Sequence, residues 1–459
     1  MSGSPKLRAF GPLKKQNISS TRIIVSSFLG VILVGTLLLM LPFSTRDGNI
    51  SFLNAFFTAT SATCVTGLVV FDTYTKFTLF GQIVILTLIQ IGGLGLVTFA
   101  TFFNLAMGHR LAFKTLRTAG ESVSALAVSE AGGLIRSVIR ITFSFELIGA
   151  ALLSLAFVPR FGIKGIAIAL FIAISAFCNA GFDVFGFMGE YSSLTGFVGD
   201  HYVQFVVIGL IIAGGLGFLV WCDLFRYRTT KKIMLHTKLV VLITVTLLAF
   251  GTFGIAALEW DNPATLAAMP INDRFMAAFF QSVSTRTAGF NTFDLGACNN
   301  VTKLFMSFLM FIGAAPGGTG GGIKVTTLAL LLVTVSSVCA GRSETTVFGR
   351  KISKDTIYRA LSIMLLGFTA VVISSMAIFF NTTAGVNEID SIFEAASAFA
   401  TVGLSVGATA QMQSAAKIIT IITMFIGRVG PVSLAISLSE HTNNATRHEI
   451  LPEGKVIVG

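Results

Sequence analysis

The sequence predicts an all-α integral membrane protein in which eight membrane spans and four short re-entrant helices form four pseudo-fourfold-related repeats. Three observations lead to this fold class: long uncharged apolar runs, basic segments at regular intervals, and a short glycine-ended motif that occurs four times. Of the 459 residues, 54% are hydrophobic and only 12% are charged, whereas soluble domains carry about 25% charged residues. The composition therefore excludes an ordinary soluble protein.

Four apolar runs are long enough to cross a bilayer as a helix, which takes about 20 residues. They contain no charged side chain and are Ile23–Thr45, Phe77–Gly108, Leu239–Leu258 and Ala360–Val386. A soluble core helix of this length would carry a polar stripe, and these runs carry none. The first run is also too long for the apolar part of a cleavable signal, so it is predicted to be a span.

The formal net charge of +11 is unevenly distributed along the chain. Four segments, 1–22, 108–140, 222–238 and 341–359, hold five basic residues each, and the loops between them are acidic or nearly neutral. The positive-inside rule places such segments in the cytoplasm. The basic charge is therefore explained by a surrounding lipid membrane, and no nucleic-acid partner is predicted.

Each interval between basic segments holds two long apolar stretches and a third, shorter one that ends at a glycine. A third full crossing would reverse the charge pattern, so the short stretch is predicted to be a re-entrant helix followed by a loop. The glycines are Gly67, Gly181, Gly289 and Gly403, separated by 114, 108 and 114 residues. Such a period indicates repeated structural units, and four equal units favour a ring around a common axis.

This organisation divides the chain into tails, linkers and repeats, with the tails and linkers predicted to be cytoplasmic. The segments are an N-terminal tail (1–22), repeat 1 (23–108), a linker (109–132), repeat 2 (133–225), a linker (226–238), repeat 3 (239–340, with a glycine-rich loop at 313–324), a linker (341–357), repeat 4 (358–440) and a C-terminal tail (441–459).

The four helix–pore loop–helix repeats have the properties of a cation pathway. Backbone carbonyls can replace the hydration shell of an ion, and glycine adopts the backbone angles that aim them inward. The C-terminal ends of the short helices also favour a cation. The loops are therefore predicted to form a selectivity filter that binds a monovalent cation through backbone carbonyls. The predicted filter residues are Thr63, Cys64, Val65, Thr66, Gly67, Phe177, Cys178, Asn179, Ala180, Gly181, Thr285, Arg286, Thr287, Ala288, Gly289, Phe399, Ala400, Thr401, Val402 and Gly403.

The second span of each repeat carries a further glycine motif. In repeats 1, 2 and 4 the motifs are residues 91–95, 213–217 and 427–431, which permit either close helix contact or a break. Repeat 3 has a longer version with six glycines and one proline within ten residues, beginning at Gly313. Such a sequence cannot hold an ordinary helix, so this span is predicted to be broken.

The four loops, the broken third repeat and the basic linkers together resemble the KtrB/TrkH/HKT superfamily of potassium transporters, over essentially the whole chain. The match is closest to the KtrB-type subunits. The resemblance implies K+ uptake across the cytoplasmic (inner) membrane, with both termini cytoplasmic and no covalently bound cofactor. Plant relatives that transport sodium have serine at the first filter glycine, so Gly67 favours potassium. Whether Na+ is co-transported or acts as an activator is left open.

The resemblance also implies a gate and partners. The glycine-rich loop resembles the family's intramembrane gate loop, and Arg428 matches a family arginine that faces the cavity below the filter. KtrB-type subunits work as homodimers on a cytoplasmic ring of nucleotide-binding KtrA-type subunits, so a multi-subunit system is expected. The gate residues implied are Gly313, Pro316, Gly317, Gly318, Thr319, Gly320, Gly321, Gly322, Lys324 and Arg428.

Several alternatives stay open. A secondary transporter with inverted repeats is disfavoured because the four repeats run in the same orientation. A membrane enzyme is disfavoured because the sequence has no metal cluster, nucleophile motif or phosphate-binding lysine loop. A sodium-conducting protein of the same architecture is the third alternative. Among single residues, Lys324 has a gating or a structural role, Glu146 a structural, neutral or dimer-contact role, and Arg286 is expected to tie down its loop through a neighbour such as Glu394.

Overall fold

The computed structural model describes residues 20–95, 131–382, 385–432 and 434. The tails predicted at 1–22 and 441–459 and the linker predicted at 109–132 lie almost wholly outside the described residues. The ends of predicted repeats 1 and 4, after residues 95 and 434, also lie outside them.

The described chain is mostly helical, as predicted. Its helices are α1 (Ser20–Leu39), α2 (Phe52–Cys64), α3 (Thr73–Lys76), α4 (Leu79–Leu94), α5 (Ala131–Phe161), α6 (Lys164–Phe177), α7 (His201–Gly215), α8 (Phe218–Thr230), α9 (Leu235–Glu259), α10 (Ile271–Ser284), α11 (Asn300–Phe311), α12 (Val325–Cys339), α13 (Lys354–Phe380), α14 (Glu388–Ala400) and α15 (Ser414–Val429).

One small β-hairpin departs from the all-α prediction. Strand β1 (Thr346–Val347) pairs antiparallel with β2 (Arg350–Lys351) inside the predicted linker 341–357. The two residues between the strands, Phe348 and Gly349, have φ values of 47° and 73°. A two-residue turn with both φ values positive has the twist that a hairpin needs, which explains the pairing.

Three helices in the described part of the chain, α5, α9 and α13, are long and apolar enough to cross a bilayer. Helices α7 and α8 together would make a fourth span, but they meet at an angle of 94°. Helices α4, α6, α11 and α12 are apolar but shorter than 18 residues. The long helices fit the predicted integral membrane protein, whereas several of the eight predicted spans are not continuous helices.

The four short helices α2, α6, α10 and α14 lead into the four predicted loops. Each packs against the long helix that precedes it in the chain: α1, α5, α9 and α13, respectively. Three of them also contact a helix of the preceding repeat: α6 packs on α4, α10 on α7 and α14 on α11. Helix α2 packs on α15 of repeat 4 and so closes the arrangement into a ring.

Local sequence defines the ends of these short helices. The Ser51 side chain accepts a hydrogen bond from the backbone of Asn54 and caps α2, and a capping box of Asn387 and Asp390 begins α14. Both helices end at a residue in the left-handed conformation, after which the chain turns away from the helix axis. The helices therefore stop inside the protein and release buried loops.

The glycine motifs of repeats 1, 2 and 4 provide both a contact and a break. Gly92, Gly214 and Gly427 lie where a side chain would collide with a carbonyl at the end of the short helix of the same repeat. Three residues further on, the chain passes through a glycine with positive φ: Gly95 (80°), Gly217 (88°) and Gly430 (92°). The motif thus packs the second helix against the short one and then redirects the chain.

Candidate functional site

The four glycines that end the predicted loops meet inside the protein and are called here the glycine ring (Gly67, Gly181, Gly289 and Gly403). Each has a positive φ, between 68° and 91°, which residues with side chains rarely adopt. A Cβ placed on Gly181 would lie 2.8 Å from the Cα of Gly289, and one on Gly403 would lie 2.8 Å from the Cα of Gly67. Loops that are far apart in the sequence are therefore in direct backbone contact.

One contact repeats around the glycine ring and closes it. A side chain on Gly67 would collide with the carbonyl oxygen of Ala180, the residue before the next ring glycine. Each loop is packed onto the next in this way, and the fourth loop is packed onto the first. The corresponding pairs are Gly181 with Ala288, Gly289 with Val402, and Gly403 with Thr66.

The residue two positions before each ring glycine also has a left-handed backbone, which costs about 1–3 kcal/mol for a residue with a side chain. The next N–H group donates to a carbonyl of the preceding short helix, at 2.7–3.0 Å in all four loops. Because N–H and C=O point in opposite directions in a trans peptide, the carbonyls of the left-handed residues point away from these helices. These residues are Val65 (58°), Asn179 (58°), Thr287 (74°) and Thr401 (52°).

All twenty residues predicted for the filter are buried. The short helices α2, α6, α10 and α14 end within the predicted filter segments or one residue before them. The negative end of each helix dipole is therefore directed at the same small region. This arrangement favours a cation over an anion at the glycine ring.

Arg286, which stands where the other three predicted loops have Cys64, Cys178 and Ala400, ties its loop to the predicted gate loop, Gly313–Lys324. Its side chain is 9% exposed, and its Nη2 donates to the carbonyl oxygen of Gly313 at 3.3 Å. The expected contact with Glu394 is wrong, because the Glu394 carboxylate binds residues that follow the fourth loop, including the Ser405 hydroxyl at 2.6 Å. The error arose because a side-chain partner depends on tertiary contacts that spacing does not reveal.

Asn179, which stands where the other loops have Val65, Thr287 and Thr401, bridges two loops. Its amide lies 3.2 Å from the Thr287 hydroxyl in the neighbouring loop. In the orientation that satisfies both ends of the amide, the nitrogen donates to the carbonyls of Ala176 (2.9 Å) and Ile211 (3.2 Å) while the oxygen accepts from Thr287. The four predicted loops are numbered in chain order: loop 1 is 63–67, loop 2 is 177–181, loop 3 is 285–289 and loop 4 is 399–403. Loops 2 and 3 are therefore joined by a buried side-chain hydrogen bond.

The predicted gate loop, Gly313–Lys324, is called here the glycine-rich segment. It is not helical, so the prediction that it interrupts the helix is confirmed. It lies directly against three of the four loops. The Gly321 N–H donates to the Thr401 hydroxyl at 2.9 Å, and the Thr319 hydroxyl donates to the carbonyl of Phe177 at 3.3 Å. A side chain on Gly320 would collide with Thr287.

The remaining predicted gate residues anchor the same segment. Pro316, Gly317 and Gly318 lie against the bend between α7 and α8, where the Phe218 N–H donates to the carbonyl of Gly317 at 3.0 Å. At the other end, the Gly313 N–H donates to the carbonyl of Ile323 at 2.8 Å. The last glycine, Gly322, lies under Ala400, and a Cβ there would be 3.0 Å from the Ala400 Cα.

Two basic side chains hold the glycine-rich segment in place. The Lys324 ammonium donates to the carbonyl of Gly320 at 2.6 Å, within the segment itself. Arg428 lies in the last turn of α15 and donates through Nη1 to the carbonyl of Thr319 and through Nη2 to the carbonyl of Gly92. Arg428 thus connects the segment to helix α4.

A cavity of about 360 Å³ opens on the other side of the glycine ring, where the chain continues after each glycine. All four ring glycines line it, together with the carboxyl-bearing residues Asp72, Asp183 and Asp294. The sequence also predicts acidic residues on the outer side that could concentrate cations: Asp183, Glu190, Asp200, Asp261 and Asp273. Of these five, only Asp183 is among the residues that line this cavity. Asp200 instead forms an ion pair with Arg160 (2.5 Å), and Asp273 is hydrogen-bonded to the His201 ring at 2.8 Å.

The sequence reasoning missed Asp72 and Asp294. Both stand five residues after a ring glycine, and this spacing could have identified them. It also missed a serine near the end of each short helix, Ser61, Ser175, Ser284 and Ser397, although three of the four stand six residues before a ring glycine.

Glu146, whose role was left open, is part of a buried polar group behind loop 2. Its side chain on α5 is 2% exposed, and its Oε1 accepts from the Gln90 amide of α4 at 3.0 Å and lies 3.8 Å from the Cys178 sulfur. These contacts join α5 to α4 and to Cys178, one of the predicted filter residues. They support the structural role among the alternatives.

Comparison with known proteins relates the chain to cation transporters. Residues 13–447 match the family model TrkH, described as a cation transport protein. The chain is 39% identical over 448 residues to the Ktr system potassium uptake protein B of Bacillus subtilis, which covers 97% of this chain and 98% of that protein. It is 36% identical over 451 residues to the potassium/sodium uptake protein NtpJ of Enterococcus hirae, with 97% and 98% covered.

The fold points to the same relatives. The crystal structure of the potassium transporter TrkH from Vibrio parahaemolyticus matches with a TM-score of 0.71 at 19% identity, covering 93% of this chain and 86% of that one. At this identity the likeness shows a shared fold. The predicted superfamily and the expectation of a transporter, not an enzyme, are both confirmed by the family match. The chain is an integral membrane protein that belongs to the TrkH family of cation transport proteins.

Proposed function

We propose that this chain is the ion-translocating subunit of a potassium uptake system and that K+ crosses the cytoplasmic membrane through the glycine ring. The observation that carries the proposal is the closed ring itself, in which each glycine packs onto a backbone carbonyl of the next loop. Relatives named potassium uptake proteins at 39% and 37% identity support potassium as the ion.

The proposed filter works by replacing water with protein oxygens. The carbonyls of the left-handed residues point away from the short helices, and the carbonyls of the residues before the ring glycines face the neighbouring loops. Rings of such oxygens compensate a cation for its lost hydration. Helix C-termini directed at the ring add a favourable potential. The twenty predicted filter residues are proposed to act through these backbone atoms.

The glycine-rich segment is proposed to be the gate, in its closed position. It lies against loops 2, 3 and 4 directly below the glycine ring, and Arg428 and Lys324 hold it there. A fixed positive charge beneath a cation filter also raises the barrier to passage. Opening requires the segment to lose these hydrogen bonds and move out of the ion path.

The proposed architecture is the fourfold one, with eight spans, four re-entrant pore helices and the predicted domain boundaries. Both termini and the linkers would lie in the cytoplasm. We propose a homodimer that binds a ring of nucleotide-binding KtrA-type subunits, since relatives are named as components of a Ktr system. A sodium role is the second candidate, supported by the relative named a potassium/sodium uptake protein.

Transport in cells tests the proposed function. The chain would be expressed with a candidate cytoplasmic partner in a bacterium that lacks its own potassium uptake systems. The proposal predicts growth at low potassium and saturable uptake of rubidium, with sodium a poorer competitor than potassium. Absence of uptake, at normal amounts of protein in the membrane and with every candidate partner, would contradict it.

The acidic cavity predicts a dependence on external pH. Asp183 lies between α6 and α7, outside the spanning helices, and burial raises its pKa to about 7, with a further contribution from Asp72. Above pH 7 the carboxylate is charged and attracts cations, and below it the group is protonated. Lowering the external pH from 8 to 6 is therefore expected to raise the KM for rubidium by about threefold.

Initial uptake rates at a series of pH values measure this effect. Asp183→Asn is expected to raise the KM at pH 8 and to flatten its pH dependence. Asp47→Asn is the matched control, because Asp47 is an exposed partner of Lys76 and does not line the cavity. An unchanged pH profile in Asp183→Asn would remove this carboxyl from the ion path.

Removing the hydroxyl of Thr401 is expected to increase basal uptake. This hydroxyl accepts the Gly321 N–H, and Thr401→Val would leave that buried donor unpaired at a cost of about 1–3 kcal/mol to the closed state. Valine suits the backbone there, because Val65 occupies the same position in loop 1 at φ 58°. We expect rubidium uptake to rise about fivefold without partner activation, since about 1 kcal/mol corresponds to that factor.

The control for this variant is Thr36→Val. The Thr36 side chain is equally buried, but its hydroxyl bonds to the carbonyl of Ile32 within α1. Its uptake should match the wild type. Equal uptake by the wild type, Thr401→Val and Thr36→Val would show that the Thr401 contact does not hold the gate closed.

A further inference from the structure

Each short helix carries a buried serine behind the loop that follows it. The four hydroxyls are fully shielded from solvent, and each bonds to the backbone of its own loop, at or just after the ring glycine. The serines are Ser61, Ser175, Ser284 and Ser397. Their bonds differ, however, and divide the loops into two pairs.

In loops 1 and 4 the serine accepts a hydrogen bond from the ring glycine. The Gly67 N–H donates to the Ser61 hydroxyl at 3.1 Å, and the Gly403 N–H donates to the Ser397 hydroxyl at 3.1 Å. In a trans peptide the preceding carbonyl must point the opposite way. The carbonyls of Thr66 and Val402 are therefore aimed away from the helices, toward the neighbouring glycines on which they pack.

In loops 2 and 3 the serine donates instead. The Ser175 hydroxyl donates to the carbonyl of Phe182 at 2.6 Å, and the Ser284 hydroxyl donates to the carbonyl of Phe290. These carbonyls belong to the residues that follow Gly181 and Gly289, and the bonds turn them back toward the helices. The serines of this pair therefore act on the peptide that follows Phe182 or Phe290. Neither hydroxyl binds the peptide that precedes Gly181 or Gly289.

The peptide before the ring glycine needs a hydrogen bond to fix its orientation, because the glycine itself restricts that orientation little. Rotating the peptide between Thr66 and Gly67 changes the φ of the glycine, which adopts positive and negative values with little penalty. Such a rotation would exchange a carbonyl for an N–H at the ring and replace a cation ligand with a donor. The hydrogen bond to the Ser61 hydroxyl opposes this rotation, and the one to the Ser397 hydroxyl opposes it in loop 4.

We propose that Ser61 and Ser397 are positioning residues for ion selectivity, which fix the carbonyls of Thr66 and Val402 toward the ion, and that the filter is built as two pairs of loops. This inference rests on the proposed function of the glycine ring as a potassium filter. It assigns selectivity to two side chains that do not touch the ion.

The experiment compares Ser61→Ala and Ser397→Ala with the wild type in the rubidium uptake assay, together with Ser175→Ala. For both loop 1 and loop 4 variants we expect the KM for rubidium to rise by about fivefold and inhibition by sodium to strengthen, since an aimed carbonyl ligand is lost. Ser175→Ala should stay within about twofold of the wild type in both quantities, because its bond acts beyond the glycine.

Ser391→Ala is the matched control. Ser391 is a buried serine of the same helix as Ser397, but its hydroxyl bonds to the carbonyl of Asn387 within the helix. Its KM and sodium inhibition should equal the wild type. Ser397→Cys has a side chain of similar size that is a weaker hydrogen-bond acceptor. Its KM and sodium inhibition should lie between those of the wild type and Ser397→Ala, and it is the control for a folding defect in the alanine variant.

The possible results distinguish failure of the serine assignment from failure of the proposed potassium transport. Wild-type KM and sodium inhibition in Ser61→Ala and Ser397→Ala would overturn the serine assignment while leaving potassium transport intact. A lower maximal rate with less protein in the membrane, but unchanged KM and sodium inhibition, would show a purely structural role and would also overturn it. Absence of rubidium uptake by the wild type would contradict the proposed function, and the serine assignment with it.

Discussion

Gly67→Ser is expected to weaken discrimination between potassium and sodium by about tenfold or more and to raise the KM for potassium, because the filter carbonyls cannot keep their positions. A Cβ on Gly67 would collide with the carbonyl oxygen of Ala180, and the φ of 91° is unfavourable for serine. The loop or its neighbour must shift. Since the four loops are packed in a closed ring, a shift in one loop displaces ligands contributed by another.

The measurement is the initial rate of rubidium or potassium uptake over a range of sodium concentrations. Gly209→Ser serves as the matched control, because Gly209 is a glycine of α7 whose added Cβ meets no atom within 4 Å. It should transport like the wild type. Unchanged affinity and selectivity in Gly67→Ser would keep the transport function but remove Gly67 from the ion path.

Arg428→Ala is expected to open the gate. The guanidinium donates to the carbonyls of Thr319 in the glycine-rich segment and Gly92 in α4, and hydrogen bonds from charged groups contribute about 1.5–3 kcal/mol each. Losing both bonds destabilises the closed position of the segment and removes a positive charge from beneath the filter. Maximal uptake should rise by about tenfold or more, since about 1.4 kcal/mol is a factor of ten. The KM should change little.

Two further variants separate the charge from the contacts. Arg428→Lys keeps the positive charge but cannot span two carbonyls as the planar guanidinium does, so it should also raise uptake. Lys417→Ala is the control, because Lys417 is a cation of the same helix that bonds to the Asn54 amide oxygen, away from the segment. Wild-type uptake in both Arg428 variants would contradict the role of this residue in holding the gate closed.

The backbone of the site was largely predictable from the sequence. A glycine recurs at the end of the same short motif after Gly67, at intervals of 114, 108 and 114 residues. This recurrence identified the four loops, because each repeat must meet the same steric requirement. The density of glycine after Gly313 identified the broken helix, because an ordinary helix cannot hold so many glycines. Local chemistry also accounts for the unexpected hairpin, since Phe348 and Gly349 form the turn.

The side-chain partners were not predictable. Arg286 bonds to the carbonyl of Gly313 and not to Glu394, and the Asn179 amide lies 3.2 Å from the Thr287 hydroxyl of the neighbouring loop. Both outcomes depend on which elements pack together in three dimensions. The bend of 94° between α7 and α8 was also left open, because a glycine motif permits a helix contact or a break and only the fold selects between them.

The central claim is that potassium crosses the membrane through the glycine ring, and anomalous diffraction from crystals grown with rubidium tests it most directly. The account predicts anomalous peaks on the axis enclosed by Gly67, Gly181, Gly289 and Gly403, at the level of the carbonyls of Thr66 and Val402, and weaker or no peaks there in Gly67→Ser. Rubidium bound elsewhere in the protein, with an empty glycine ring in the transport-competent wild type, would contradict it.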